Sequence, residues 1–118
     1  MYQHHITGML GEDKVKEYLL NNNYLILEQN FSCFFGEIDI IAKDKNELVF
    51  IEVKTRRSNF YGVPSESVTP TKKRHIKKVA EYFLYRFHLE REFIRFDVIE
   101  VLIDKMENYN INHIKQAF

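Results

Sequence analysis

Apolar residues recur along the chain at two different periods, which change from one segment to the next. Helical spacing, as in Val15, Tyr18 and Leu19, is typical of a helix that buries one face. Alternation at every second residue, with a high content of Val, Ile and Phe, is typical of strands. The elements predicted in this way are a helix from Thr7 or Gly8 to about Asn22, strands at 24–31, 37–43 and 48–56, a helix from Thr69 or Thr71 to about Phe87, and a strand at 93–103.

This α-β-β-β-α-β order predicts an α/β protein of the α+β kind, with a small mixed central sheet flanked by helices. The chain has 118 residues, a length that suits a single domain spanning 1–118. Apolar side chains at Ile111, Ile114 and Phe118 predict that the tail docks on the core.

The second and third strands carry the most informative polar residues. Lys45-Asn46 is predicted to form a two-residue turn, and in that register Asp39 lies opposite Glu52. Glu37 then lies opposite Lys54, and because strand side chains alternate, all four project from one face of the sheet. The other face is formed by the apolar residues Ile38, Ile40, Ala42, Val49, Ile51 and Val53.

Two facing carboxylates next to an apolar layer suit a divalent cation. Mg²⁺, or Mn²⁺ in its place, takes one or two protein carboxylates together with water and phosphate oxygens. Asp39 and Glu52 are therefore the predicted metal ligands, with the backbone carbonyl of Val53 as a third. Lys54 is predicted to be catalytic, by polarising the attacking water or stabilising charge at phosphorus. The alternative is a cross-strand salt bridge at an exposed rim, which any sheet can contain.

Two further acids are candidates for the same site. Glu37 shares the charged face and is the accessory candidate. Glu12, near the start of the first helix, could bind a water of the metal shell, although a helix acid favoured by the dipole is the more ordinary interpretation.

The formal net charge of zero conceals an uneven distribution of charge. Residues 54–78 contain eight basic residues and only one acid, Glu66. Such a segment suits a polyanion such as DNA, although residues 72–78 alone would be an ordinary solvated helix face. The candidate nucleic-acid contacts are Arg56, Arg57, Lys72, Lys73 and Lys77.

Several other kinds of protein are not indicated. No apolar run approaches the roughly 20 residues that span a bilayer, so no membrane partner is expected. One cysteine, Cys33, and the lack of an export pattern predict a cytoplasmic protein. Arg95 and Asp97 share one face of the last strand and predict a structural ion pair. The histidines show no metal-ligand spacing: His4-His5 are interpreted as part of a mobile tail, and His75, His88 and His113 are expected at the surface.

The acids and the lysine together resemble a known pattern. Asp39, a spacer and Glu52-x-Lys54 resemble the signature of the PD-(D/E)xK nuclease superfamily, although Ile38 stands where that name has proline. Over nearly its whole length the chain resembles, more narrowly, the YraN family of small bacterial proteins. The residues that carry this narrower resemblance are Gly8, Gly11-Glu12, Tyr18-Leu19, Asn30, Gly36–Asp39, Val49–Arg56, Tyr61-Gly62, Pro64, Lys72, Ala80, Arg95–Asp97 and Ala117-Phe118.

The resemblance implies a restriction-endonuclease-like core, similar to that of Holliday junction resolvases, with a Mg²⁺ site. By that pattern Asp39 and Glu52 are metal ligands, Lys54 is catalytic and Glu12 is the accessory acid of the helix. We therefore expect a Mg²⁺- or Mn²⁺-dependent endonuclease acting on DNA, branched or damaged DNA included. A non-catalytic nucleic-acid-binding module with a vestigial site is the alternative, and a structural protein is a third. Many enzymes of this fold are homodimers, and the sequence leaves open whether this chain dimerises.

Overall fold

The computed structural model describes residues 2–57 and 68–118, with side chains from Leu10 onward. The loop predicted at about 57–70 therefore lies mostly outside the described residues. The protein is α+β, with a five-stranded mixed sheet and two helices, and this arrangement is compatible with a restriction-endonuclease-like core. The elements are α1 (Tyr2–Asn21), β1 (Leu25–Cys33), β2 (Gly36–Asp44), β3 (Glu47–Arg57), α2 (Pro70–Arg86), β4 (Phe93–Ile103) and β5 (Tyr109–Ile114).

The sheet keeps the order of the sequence, β1-β2-β3-β4-β5. Neighbouring strands are antiparallel except β3 and β4, which run parallel. A parallel pair needs a crossover connection, and α2 lies in that connection. β4 has the predicted bounds, whereas β5 was not predicted as a strand. Partly buried side chains at Tyr109, Ile111 and His113 alternate with the exposed Asn110 and Asn112, but this short edge strand contains few apolar residues and therefore resembled a polar tail.

Local chemistry accounts for the ends of the helices. α1 begins at Tyr2, earlier than predicted, and stops at the asparagine run, where Asn23 adopts a positive φ of 66°. α2 begins after Thr69, whose side-chain oxygen accepts a hydrogen bond from the backbone N–H of Lys72 at 3.2 Å. Among the described residues, no helix is both long and apolar enough to cross a membrane.

The sheet is covered on both faces, so the core has two layers. Val15 and Leu19 of α1 pack on the face of Ile40, Val49 and Ile51. The second layer lies under α2 and contains Ile41, Leu48, Phe50, Ile76, Val79, Ala80, Phe83 and Phe96.

One predicted core residue lies in the other layer. Ile38 packs in the α2 layer and not with Ile40, as strict alternation predicted. The alternation breaks around Asp39, where β2 loses its pairing with β3. This irregularity coincides with the candidate site.

Candidate functional site

The β2–β3 hairpin has the predicted register but separates into a fork. Pairing runs from Asp44–Glu47 to Ile40–Ile51 and then ends. Beyond that point β2 continues beside β1 as far as Gly36, and β3 continues beside β4 as far as Arg57. The expected ladder pairs Asp39–Glu52 and Glu37–Lys54 are therefore not formed, because the two strands have diverged. We call the gap between residues 36–39 of β2 and 52–57 of β3 the fork.

Asp39 bridges the fork with its side chain. The backbone N–H of Val53 donates to Asp39 Oδ2 at 2.8 Å, so the carboxylate replaces the missing strand partner. The N–H and C=O of one strand residue point toward the same neighbouring strand, so the Val53 carbonyl also faces the fork. The carboxylate of Asp39 thus lies beside Val53 and, through a hydrogen bond, beside the carboxyl group of Glu52.

Glu52 is almost completely buried beside Asp39. Burial, followed by the hydrogen bond and the repulsion from Asp39, raises the pKa of Glu52 to about 8. The positive charge of Lys72 acts in the opposite direction and lowers the pKa of Glu52. Lys72 Nζ lies 3.7 Å from Glu52 Oε2. Two carboxylates that crowd each other at a partly dry site are an arrangement that a cation would relieve.

Lys54 and Lys72 form the positive side of the site. Burial, and then the neighbouring Lys72 ammonium, lower the pKa of Lys54, while Glu52 and Asp39 act in the opposite direction. Sequence reasoning placed Lys72 among outer nucleic-acid contacts. In the structure Lys72 lies in the first turn of α2, and its ammonium is close to the buried Glu52.

Glu12 and Glu37 lie at the same fork and are joined by Asn30, which sequence reasoning did not identify as a site residue. Burial, and then the charges of Asp39 and Glu37, raise the pKa of Glu12. With its amide nitrogen turned toward the acids, Asn30 Nδ2 donates to Glu12 Oε1 and to Glu37 Oε1, both at 3.2 Å. Asn30 has a positive φ of 52°, a conformation that asparagine tolerates. The signal available in the sequence was that Asn30 is one of the residues that carry the resemblance to the YraN family.

The other predicted nucleic-acid contacts surround this centre. Arg56 is half-buried on β3, and Arg57 Nη1 donates to Glu107 Oε1 at 2.9 Å. Lys73 Nζ lies 5.5 Å from the centre of the Phe118 ring. Phe118 itself stacks on Phe96, so the tail docks on the core as expected. Lys77 is exposed on α2.

Glu100 is a buried acid that sequence reasoning missed. The parallel register places it beside Lys54 on the same face, and its side chain is 2% exposed. Asn112 Nδ2 donates to Glu100 Oε1 at 2.8 Å, while Oε2 has no hydrogen-bond partner among the described residues. The signal available in the sequence was one charged residue in an otherwise apolar stretch of β4.

The expected pair of Arg95 and Asp97 is confirmed as a buried structural pair outside the fork. Arg95 Nε donates to Asp97 Oδ1 at 3.1 Å. The expectation that His113 lies at the surface is wrong. His113 Nε2 lies 2.7 Å from Asp97 Oδ2, and Tyr18 OH lies 2.8 Å from His113 Nδ1. Tyr18 lies on α1, Asp97 on β4 and His113 on β5. Because the three residues are far apart in the sequence, their spacing did not reveal the contacts.

Few groups at the fork could coordinate a metal ion. In the part of the chain that the structure describes, no three His, Cys, Asp or Glu side chains are arranged to hold a metal ion. The set that would hold Mg²⁺ is therefore two carboxylates and one carbonyl. This agrees with the usual coordination of Mg²⁺, which binds few protein groups and keeps several water ligands.

Comparison with known proteins places the chain in a family. The model of the uncharacterised protein family UPF0102 matches residues 11–101. A UPF0102 protein of Caldicellulosiruptor saccharolyticus is 53% identical over 112 residues, covering 94% of this chain and 95% of that protein. One from Caldicellulosiruptor bescii is 50% identical, covering 95% and 96%, and one from Clostridium botulinum is 49% identical, covering 94% and 92%. The matched region includes every residue of the fork, and this chain belongs to the UPF0102 family, which is the YraN family.

Proposed function

We propose that this protein is a Mg²⁺-dependent endonuclease that hydrolyses phosphodiester bonds in DNA, with Mn²⁺ as an effective substitute. One observation carries the proposal: Asp39 and Glu52 meet at a fork in the sheet with Lys54 and Lys72 beside them. A hairpin that only stabilised the sheet would continue its ladder. Here the ladder stops at Ile40 and the acids fill the gap.

Asp39, Glu52 and the Val53 carbonyl are the groups that would hold the cation. When bound, Mg²⁺ neutralises the non-bridging phosphate oxygens and makes water a better nucleophile. The protein itself supplies the low-dielectric setting, since Glu52 is buried and Asp39 is fixed by the Val53 N–H. A fixed acceptor does not have to reorganise during the reaction.

Lys54 and Lys72 would act on the phosphate. The lowered pKa of Lys54 makes its ammonium a better proton donor than an exposed lysine. Lys54 can therefore orient the attacking water or stabilise the charge at phosphorus. Lys72, already in an ion pair with Glu52, can donate a hydrogen bond to a phosphate oxygen when substrate enters.

Glu12, Asn30 and Glu37 would shape the solvent side of the fork. Asn30 holds the two carboxylates in one hydrogen-bonded group. Such a group can bind and orient water next to Asp39, which lies within electrostatic range of Glu12. Their contribution would be to position water rather than to contact the phosphate.

The second candidate is a nucleic-acid-binding module without catalysis. Its supporting observation is that the Lys72 ammonium lies 3.7 Å from Glu52 and already balances part of its charge. In such a module the acids would serve only to position the basic side chains.

Cleavage assays separate the two candidates. Labelled single-stranded, flap and four-way-junction DNA is incubated with protein and Mg²⁺ or Mn²⁺, with chelator as the blank. Wild type is expected to cut at least one substrate, and Asp39→Asn and Lys54→Ala are expected to be at least about 100-fold slower. Glu81→Gln, an exposed change on α2, is the matched control. The proposal fails if no substrate is cut with either cation while the variants bind DNA as wild type does.

A further inference from the structure

The β1–β2 hairpin ends in two adjacent phenylalanines. Cys33 pairs with Gly36, so Phe34 and Phe35 are the two residues of the turn. Phe34 is 97% exposed and Phe35 is 42% exposed. We call these two residues the hairpin tip.

This composition is unusual for a turn of that length. Two-residue hairpin turns favour Asn, Asp and Gly, which adopt the required backbone without strain. An exposed phenylalanine forgoes the favourable free energy that burial of its side chain would contribute. The conformational preferences of turn residues therefore do not explain why two phenylalanines occupy this turn. Contact with a ligand that stacks on their rings would explain it.

The hairpin tip is supported from below by α2. Lys78 Nζ lies 5.8 Å from the centre of the Phe35 ring, and the rings of Phe34 and Phe35 contact edge to face at 5.7 Å. Deeper in the hairpin, the rings of Phe31 and Tyr82 lie 6.2 Å apart. Phe35 is therefore held against the helix, whereas Phe34 presents almost its whole ring to solvent.

The same helix connects the hairpin tip to the fork. Lys72 contacts Glu52 and Lys78 contacts Phe35. At 1.5 Å per residue, the two lysines are about 9 Å apart along the axis of α2. Along β2, Phe35 and Asp39 are separated by about 13 Å of strand. These distances correspond to roughly three or four nucleotides of a stacked strand.

We propose that the hairpin tip stacks on unpaired bases of the DNA strand whose backbone reaches the fork. This inference rests on the proposed function and names its substrate class: single-stranded DNA or DNA with an unpaired segment next to the cut. Aromatic rings stack on any base but need an open base face, which an intact duplex does not offer. Lys72 at the fork and Lys78 at Phe35 mark the two ends of the path that the phosphates between the stacked base and the fork would follow.

The positive charge around the hairpin tip favours DNA over an apolar ligand. Lys78 lies on Phe35, and Lys72, Lys73 and Lys77 follow on the same helix. A polyanion with flat apolar rings matches both the lysines and the phenylalanines. A protein surface would need acids arranged around an apolar patch, and that case is tested below.

The test uses Asp39→Asn protein, so that bound DNA is not cut. The probes are a single strand, a flap and a duplex, each labelled with a fluorophore for affinity and with 2-aminopurine for stacking. Phe34→Ala/Phe35→Ala is expected to bind the single strand and the flap about tenfold or more weakly and to lose the 2-aminopurine change. Duplex affinity is expected to stay within about twofold of the parent. Phe34→Trp is expected to retain both signals, since it preserves a stacking face.

Phe93→Ala is the matched control, because Phe93 is also a well-exposed phenylalanine but lies at the opposite end of the sheet, level with Glu47. Unchanged single-strand affinity in Phe34→Ala/Phe35→Ala would overturn the inference, whatever the cleavage assays show. A change in mass by light scattering with unchanged DNA affinity would overturn it in favour of a protein contact. Loss of single-strand binding in a protein that cuts nothing would uphold the inference and sink only the nuclease proposal.

Discussion

At the scale of single residues, Asp97 shows how the protein stabilises a buried charge. Its side chain is 0% exposed, and burial by itself would raise its pKa. Hydrogen bonds from His113, Arg95 Nε and the Gln116 N–H outweigh burial, so the pKa of Asp97 is lower than usual. The same carboxylate thereby connects β4 with β5 and the tail.

This network makes a prediction about acid stability. Because the folded pKa of Asp97 lies below the unfolded value of about 3.9, its contribution is present above that value and is lost as the pH falls through the folded pKa. We expect Asp97→Asn to lower the free energy of unfolding by about 3 kcal/mol at neutral pH, since Arg95 loses its buried partner. The difference from wild type should shrink as the pH falls below about 3.9, because the unfolded state then binds a proton that the folded Asp97 does not.

Urea unfolding at about pH 7 and about pH 3 measures both values, with the exposed Glu81→Gln as control. A difference between Asp97→Asn and wild type that is the same at both pH values would contradict this account.

Residues of the site differ in how far the sequence reveals them. Asp39 and Glu52 could be predicted together because a two-residue turn fixes the register of the hairpin. Asn30, Glu100 and the position of Lys72 could not, since each depends on how separate elements approach one another. The hydrophobic period shows which face is buried, but not which side chains from other elements meet there.

At the scale of elements, the hairpin was predicted correctly as far as its ladder extends. The fork was not predicted, because strand alternation alone implies that pairing continues. β5 was missed for a different reason: its residues alternate regularly, but this edge strand contains too few apolar residues to be distinguished from a polar tail. The departure from regular pairing that escaped prediction is the one that forms the site.

The contact between α1 and β3 gives a prediction at this scale. Gly11 is buried in α1, and a Cβ added there would collide with the side chain of Thr55, which lies on the β3 side of the fork. Gly11→Ala would gain about 1 kcal/mol of helix propensity. Overpacking costs about 1–3 kcal/mol, so we expect net destabilisation by roughly 1 kcal/mol together with displacement of Glu12.

A double-mutant cycle tests the cause. Thr55→Ala removes the atom nearest to the added Cβ, so Gly11→Ala should cost less in that background and could stabilise the protein. Chemical denaturation of the four proteins gives the coupling free energy. If Gly11→Ala lowers the free energy of unfolding equally in the wild-type and Thr55→Ala backgrounds, the close approach to Thr55 is not what requires glycine at position 11.

At the scale of the whole molecule, the two layers have different chemical characters. The α1 layer is apolar over most of its area and holds the Arg95–Asp97 network. On the α2 side, the apolar layer ends at the fork, where the acids and the lysines of β3 and α2 begin. A chain with 17 basic and 17 acidic residues thus concentrates positive charge on one side, beside the only fork among the strands described.

This asymmetry predicts how DNA binding should respond to salt. If the α2 lysines replace counterions on phosphates, log affinity for a single strand falls linearly with log salt, by about 0.7 per phosphate contact. Lys77→Gln should weaken binding at low salt and make the slope shallower by about 0.7, because Lys77 is an exposed lysine of α2. Lys105→Gln removes an equal charge from the turn between β4 and β5 and is the control. Fluorescence anisotropy in Asp39→Asn protein at several salt concentrations gives the slopes. If Lys77→Gln and Lys105→Gln shift affinity equally, only the net charge matters and α2 is not the phosphate-binding face.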